Sequence, residues 1–322
     1  MHPWNEPILE SIGRRLEALP HALLLHGPQG VGKLALAERA AQLILCEAES
    51  TARRPCGACD GCRWYLGGNH PDFRRLEPEA LAKIPPEPEE DSSPSSPRKK
   101  PSTEIKVDQV RALADFLNIG SHRGRRRVAL VHPAEAMNDN AANALLKGLE
   151  EPPSGAMFIL VAHRPADLLP TIRSRCVAIP VPLPDRDVAL KWLAEQGVKD
   201  APRWLPYAGG APLRALDHAA NAEALDRMHR TIQARGQFIT DERGELEALA
   251  EGLQKVALDQ ALSAFGLPAK YGTASAKANR DAAKGWLAFA RQMGRNRALA
   301  RHPLNTRLFA AEMLAGLPET IR

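Results

Sequence analysis

The sequence predicts an α/β domain built on a mostly parallel sheet, followed by a wholly helical second half. Three observations carry this. Short β-branched or leucine-rich runs alternate with helical patterns through the first half. The first of these runs leads into a glycine-rich loop that opens a helix. After Pro180 only helical spacing remains. At 322 residues the chain exceeds the size at which one core usually keeps growing, so two or three domains are expected.

Taken in order, the candidate strands are Ala22 to Leu25, Phe73 to Leu76, Val128 to Val131, Phe158 to Ala162 and Val177 to Ile179. Before the fourth, Ala141, Ala142, Leu145, Leu146 and Leu149 fall at helical spacing behind the cap-like Asn138, and Glu151-Pro152-Pro153 ends that helix. One stretch breaks the alternation: Pro85 to Pro101 holds six prolines and four serines among charges. It has too little apolar surface to offset its ordering entropy, so residues 84–103 are expected to be a disordered surface insertion. Pro182 and Pro184 mark a linker. Beyond it, Val188, Leu190, Trp192 and Leu193, then Leu205 to Ala208 and Leu213 to Ala219, suggest a small bundle, with Gly209-Gly210 and Pro212 as punctuation. Longer helices are expected from Leu246 to Phe265 and from Asp281 to Arg301. The expected domains are residues 1–180, 181–221 and 222–322.

Hydrophobic residues make up 44% and charged residues 25%, and no apolar run approaches the roughly 20 residues of a membrane span. The start of the chain has neither a basic segment nor an apolar stretch of secretory type, so a cytoplasmic protein with reduced cysteines is expected. The net charge of +5 is compatible with nucleic-acid contact without establishing it. Two arginine clusters, Arg123, Arg125, Arg126 and Arg127, and Arg291, Arg295, Arg297 and Arg301, leave phosphate contact, solvated surface and subunit interface open.

Gly27-Pro28-Gln29-Gly30-Val31-Gly32-Lys33 follows the first strand and opens a helix containing Leu36, Ala40 and Ile44. This is the context of a phosphate-binding loop, in which backbone N–H groups and a helix N-terminus cradle phosphates and a lysine reaches the outer ones. Gly27, Gly30, Gly32 and Lys33 are therefore candidate nucleotide-binding residues. Leu34, however, stands where a Ser or Thr hydroxyl holds magnesium. The end of the third strand, where an acidic pair is expected, reads His132-Pro133. Glu135 lies beyond it, and a solvated helix-entry charge is the expectation for it. A magnesium site is thus expected to be lost, hydrolysis with it, and any ATP or ADP binding to be weak.

Cys46, Cys56, Cys59 and Cys62 follow the spacing C-x9-C-x2-C-x2-C. Four soft thiolates close together suit a tetrahedral, structural zinc ion, with Gly57 and Gly61 easing the turns; redox cysteines are the competing reading. The knuckle lacks the ligand histidines and recognition helix of a major-groove zinc finger.

The P-loop, the inserted four-cysteine knuckle, the run Asn143-Ala144-Leu145-Leu146-Lys147-Gly148-Leu149-Glu150-Glu151-Pro152-Pro153 and the run Thr171-Ile172-Arg173-Ser174-Arg175-Cys176 together resemble the bacterial DNA polymerase III clamp-loader AAA+ family. Residues 1 to about 220 carry the resemblance. It implies an AAA+ domain with a helical lid and an all-α collar, and a hetero-oligomer with gamma/tau and delta subunits that loads a sliding clamp on primer-template DNA. It further implies that Arg175 reaches in trans into a neighbour's ATP site, that Arg214 stands at the place of a second sensor arginine, and that His163 stands where a polar sensor is expected. Members lacking the magnesium residues do not hydrolyse ATP, and no activity is then expected of the isolated chain, which would be one component of a DNA polymerase holoenzyme. The alternative is an ATP-hydrolysing AAA+ subunit, opposed by Leu34, His132 and Pro133.

Overall fold

A computed structural model of the chain describes residues 1–50, 53–82, 101–119, 126–273, 280–300, 302 and 304–318. It divides into two compact units, Met1–Leu183 and Pro184–Arg322.

The first unit is a five-stranded parallel sheet in the order β2-β3-β4-β1-β5. Its strands are β1 (Ala22–His26), β2 (Phe73–Leu76), β3 (Arg127–Val131), β4 (Ala156–Ala162) and β5 (Val177–Pro180). The three central strands are mainly apolar runs buried along almost their whole length, as a sheet covered on both faces requires, whereas the edge strand β2 is half-buried and the edge strand β5 largely exposed. Helices α1 (Glu6–Arg14), α2 (Lys33–Leu45), α3 (Asp60–Leu66), α4 (Val107–Asn118), α5 (Asp139–Glu150) and α6 (Pro170–Arg175) complete it. Asn138 caps α5 as expected, its side chain accepting from the N–H of Ala141 at 2.9 Å.

Both expectations of fold hold, an α/β P-loop domain first and helices after it. The second unit contains α7 (Arg186–Glu195), α8 (Ala201–Tyr207), α9 (Pro212–Ala220), α10 (Ala222–Gln233), α11 (Arg243–Ala264), α12 (Arg280–Leu299) and α13 (Thr306–Ala315). It holds two apolar cores. One joins Ala189, Leu193, Trp204, Leu205 and Ala215, the other Leu246, Leu253, Trp286, Met293 and Met313, and Leu225 packs against both. On α7 the buried face runs through Ala189 and Leu193, while Val188 is 42% exposed.

The insertion expected at 84–103 lies mostly outside the described residues. Its end does not: the Ser102 N–H donates to Glu79 Oε2 at 3.0 Å and its carbonyl accepts from the N–H of Ala80.

Candidate nucleotide-loop site and metal centre

The parallel order brings three strand ends together: the P-loop after β1, His132 after β3 and His163 after β4. Crevices at the carboxyl ends of such strands are where open α/β sheets bind ligands. The loop's glycines are there for geometric reasons. A Cβ on Gly27 would stand 2.2 Å from the carbonyl oxygen of Val181, and Gly32 has φ 83°, in the left-handed region. From the N-terminal segment, Trp4 Nε1 and Asn5 Nδ2 donate to the Val31 carbonyl at 3.0 and 2.9 Å. Trp4 therefore ties down the loop, while Pro7 is exposed. The N–H groups of Gln29 to Leu34 donate to no carbonyl among the described hydrogen bonds. Lys33 is 2% exposed, and its ammonium donates to the carbonyls of Gly27 and Pro28 at 2.7 and 2.6 Å. Burial lowers its pKa to about 8, against the opposing pull of Glu135.

Glu135 corrects the sequence expectation. It is half-buried and not a solvated charge: Oε1 accepts from the backbone N–H groups of His163 and Arg164 at 2.9 and 3.1 Å, joining the ends of β3 and β4. The rings of His132 and His163 meet edge-on with centroids 5.3 Å apart. Burial, with nearby cationic groups adding to it, pushes both down to about 4, so they are neutral at pH 7. Sequence reasoning had no signal for the pair, because the two residues are 31 positions apart and only the sheet makes them neighbours.

Magnesium asks for near-octahedral oxygen ligation. The positions that supply it in a P-loop NTPase hold Leu34 and His132, and one oxygen of Glu135 is already committed to two N–H groups. Glu135 Oε2, buried with no hydrogen-bond partner, remains as an oxygen there, but Leu34 and His132 offer none, so these residues do not make up a full set of oxygen ligands.

The cysteines do fit theirs. Cys46 follows α2, and Cys59 caps α3. The four sulfurs lie within 4.8 Å of one another, with Cys46 and Cys59 3.9 Å apart. A tetrahedral zinc–thiolate site with bonds near 2.3 Å implies S···S spacings of about 3.8 Å. The N–H groups of Glu47 and Cys62 donate to Cys59 Sγ, that of Cys56 to Cys46 Sγ, and those of Ala58 and Cys59 to Cys56 Sγ. Such donors stabilise thiolate charge and orient ligands. Burial pushes Cys62 up to about 12 and raises Cys46, whereas N–H donors hold Cys56 down at about 6. Gly57 makes its turn with φ 74°, but Gly61 serves close approach instead: a Cβ there would meet the Leu45 carbonyl oxygen at 2.6 Å.

Arg175 ends α6. Its guanidinium pairs with Glu150 at 2.6 Å, donates to the Thr171 carbonyl at 3.0 Å, and remains about one-third exposed. Arg214, in the second unit, pairs with Glu251 on α11, which also meets the Lys255 ammonium at 2.7 Å. The arginine clusters divide. Arg127 is 3% exposed, paired with Asp72 at 3.3 Å and stacked over Phe116, so it belongs to the core and not to a phosphate-binding surface. Arg126 donates to the Leu19 carbonyl, and Arg123 and Arg125 lie outside the described residues. In the second cluster Arg291 and Arg295 are exposed, Arg297 faces Glu247 and Glu251, and Arg301 lies outside the described residues. No described helix is long and apolar enough to cross a membrane.

A sequence profile of the family described as DNA polymerase III, delta subunit, matches residues 8–184. The chain is 38% identical over 265 residues to the DNA polymerase III subunit delta-prime of Pseudomonas aeruginosa, covering 81% of this chain and 68% of the relative. It is 37% identical over 217 residues to the subunit of the same name in Yersinia pestis, covering 67% of this chain and 57% of that relative. Among solved structures, a gamma subunit-related DNA polymerase III protein from Thermotoga maritima aligns with a TM-score of 0.47 and 20% identity, over 95% of this chain and 97% of that one. With the family profile and the curated relatives added to the P-loop sheet and the cysteine cluster, the chain belongs to the DNA polymerase III delta-prime family.

Proposed function

We propose that the chain is a clamp-loader subunit that does not hydrolyse ATP itself and instead supplies Arg175 to the ATP site of a neighbouring gamma/tau subunit. The observation that carries this is the pairing of loss and retention: Leu34 and His132 stand where the magnesium ligands would be, while Arg175 stands, about one-third exposed, at the end of α6. A guanidinium fixed where charge builds on a γ-phosphate contributes ~10³ or more in rate. Here it is held in readiness by Glu150 and the last turn of its own helix. The partners in this reading are gamma/tau and delta, with the sliding clamp and primed DNA engaged through the complex. Cys46, Cys56, Cys59 and Cys62 hold a structural zinc ion, which supplies a fold constraint and no chemistry. The division of the helical half into a lid, residues 181–221, and a collar, residues 222–322, is supported by its two apolar cores.

Reconstitution with gamma/tau and delta tests the reading. Arg175→Ala is expected to lower DNA-stimulated ATPase and clamp loading by orders of magnitude while the complex still assembles. Unchanged rates would remove the trans-arginine role. Rapid ATP turnover by the purified chain alone would instead favour an autonomous ATPase.

A further inference from the structure

The four cysteines of the knuckle do not face solvent equally. Cys46 and Cys62 are 0% exposed, whereas Cys56 and Cys59 are half-buried. Of these two, Cys59 is drawn inward: it caps α3, its sulfur accepts the N–H of Glu47 from the far side of the knuckle, and Cys46 Sγ lies 3.9 Å away. Cys56 is the outward one. Its donors are the N–H groups of Ala58 and Cys59, both from the turn that follows it, and the first of these bonds lies at the exposed surface. Gly57 beside it is exposed, with no atom within 4 Å of the position a Cβ would take. Donated N–H groups hold thiolate charge and moderate its nucleophilicity. Cys56 and Cys59 each accept two such groups, so hydrogen bonding does not separate them and access does. Where thiolate character is shared, the accessible sulfur reacts first.

We propose that Cys56 is a modification site, the ligand through which a peroxide or a similar small two-electron oxidant opens the knuckle. The inference rests on the proposed structural zinc, but not on the role of Arg175. The Cys56 sulfur attacks hydrogen peroxide: an S–O bond forms as the O–O bond breaks, hydroxide leaves, and the sulfenic acid so formed is no longer a thiolate ligand. The Cys59 thiolate, within 4.8 Å, then attacks that sulfur, forming the S–S bond as the S–O bond breaks and a second hydroxide leaves. Each hydroxide takes up a proton and becomes water, so two thiolates give two electrons to one peroxide. Cys46 and Cys62 alone do not complete a tetrahedral set, and the chain releases the ion.

Elemental analysis of the purified full-length chain comes first. A chain without zinc overturns the zinc reading and this inference with it. On the zinc-loaded chain, N-ethylmaleimide below stoichiometry, read by peptide mass spectrometry, is expected to label Cys56 several-fold faster than Cys46, Cys59 or Cys62. Hydrogen peroxide is expected to release zinc to a chromogenic chelator well above a peroxide-free control and to leave a disulfide between Cys56 and Cys59. A thiol reductant with added zinc should restore the starting state. Earlier labelling of any of the other three ligands in a zinc-loaded chain overturns the inference and leaves the zinc reading standing. Zinc retained after the peroxide is consumed does the same, and so does a disulfide that omits Cys56.

Discussion

The cysteine knuckle and the P-loop are both turns that aim backbone N–H groups at a common point, and they differ in what the chain itself places there. In the knuckle five N–H groups donate to sulfur atoms of the same segment, and the four sulfurs already stand near the spacing of a tetrahedral ion. In the P-loop the N–H groups from Gln29 to Leu34 have no acceptor among the described hydrogen bonds. The first is a closed device whose ligands all lie within 17 residues of sequence; the second is open, with no acceptors supplied by its own segment among the described hydrogen bonds. A closed device can be judged by its own geometry. An open one keeps its shape after losing part of its chemistry, which is why an intact glycine loop can stand next to Leu34 and His132.

Removing the metal should produce the largest effect. Structural zinc–thiolate sites contribute an apparent binding free energy of about 10–16 kcal/mol. One zinc per chain is expected by elemental analysis, lost in Cys62→Ser along with protease resistance around residues 46–62. A wild-type chain that carries no zinc after expression in zinc-replete medium would show that the knuckle is not closed by a metal.

Gly27→Ala probes the rigidity of the open device. The added Cβ would meet a backbone carbonyl of the neighbouring segment, not a side chain that could swing away. A loss of about 2–4 kcal/mol in denaturant unfolding is expected. A loss under about 0.5 kcal/mol would mean that the loop relaxes freely and is not held in one shape.

Acid titration separates the two regions further. His132 and His163 are pushed down to about 4 by burial, while the unfolded chain titrates near 6.5. Between those values the unfolded state binds protons that the folded state refuses. Stability therefore falls as pH drops from about 6.5 toward 4 and is unaffected by these groups above 6.5. After discounting for partial solvent exposure, each contributes about 1–2 kcal/mol. The double variant His132→Gln, His163→Gln should flatten that part of the stability–pH curve; an identical slope would point to other groups, His218 among them.

The smallest expected effect is on Glu150→Gln. Its pair with Arg175 is partly exposed, so stability should change by less than about 1 kcal/mol. If Glu150 holds the arginine ready, the reconstituted ATPase should change by more than that small stability loss predicts, whereas an unaltered rate would make the pair a surface contact.

How much of this was legible in the sequence varies by residue. The strands were readable because the central ones are continuous apolar runs, and the buried positions on α5 because they recur at helical spacing. The cysteine set was readable because its ligands are local. Arg127 was not. Its neighbours Arg125 and Arg126 made it look like part of a surface run, and only the approach of Asp72 and Phe116 from other segments makes a core position for its charge. Val188 likewise shares a helical pattern with Leu193, yet α7 turns Ala189 inward in its place.

By itself the sequence determined the local devices: the glycine loop, the thiolate spacing, the Asn138 cap and the absence of a hydroxyl at Leu34. Tertiary structure decided what those devices face. The order β3-β4-β1 put His132 and Glu135, which follow β3, and His163, which follows β4, around Lys33, which follows β1. Local geometry follows from a few consecutive residues, whereas the field and the donors at a strand-end crevice come from segments whose proximity exists only once the parallel sheet has formed.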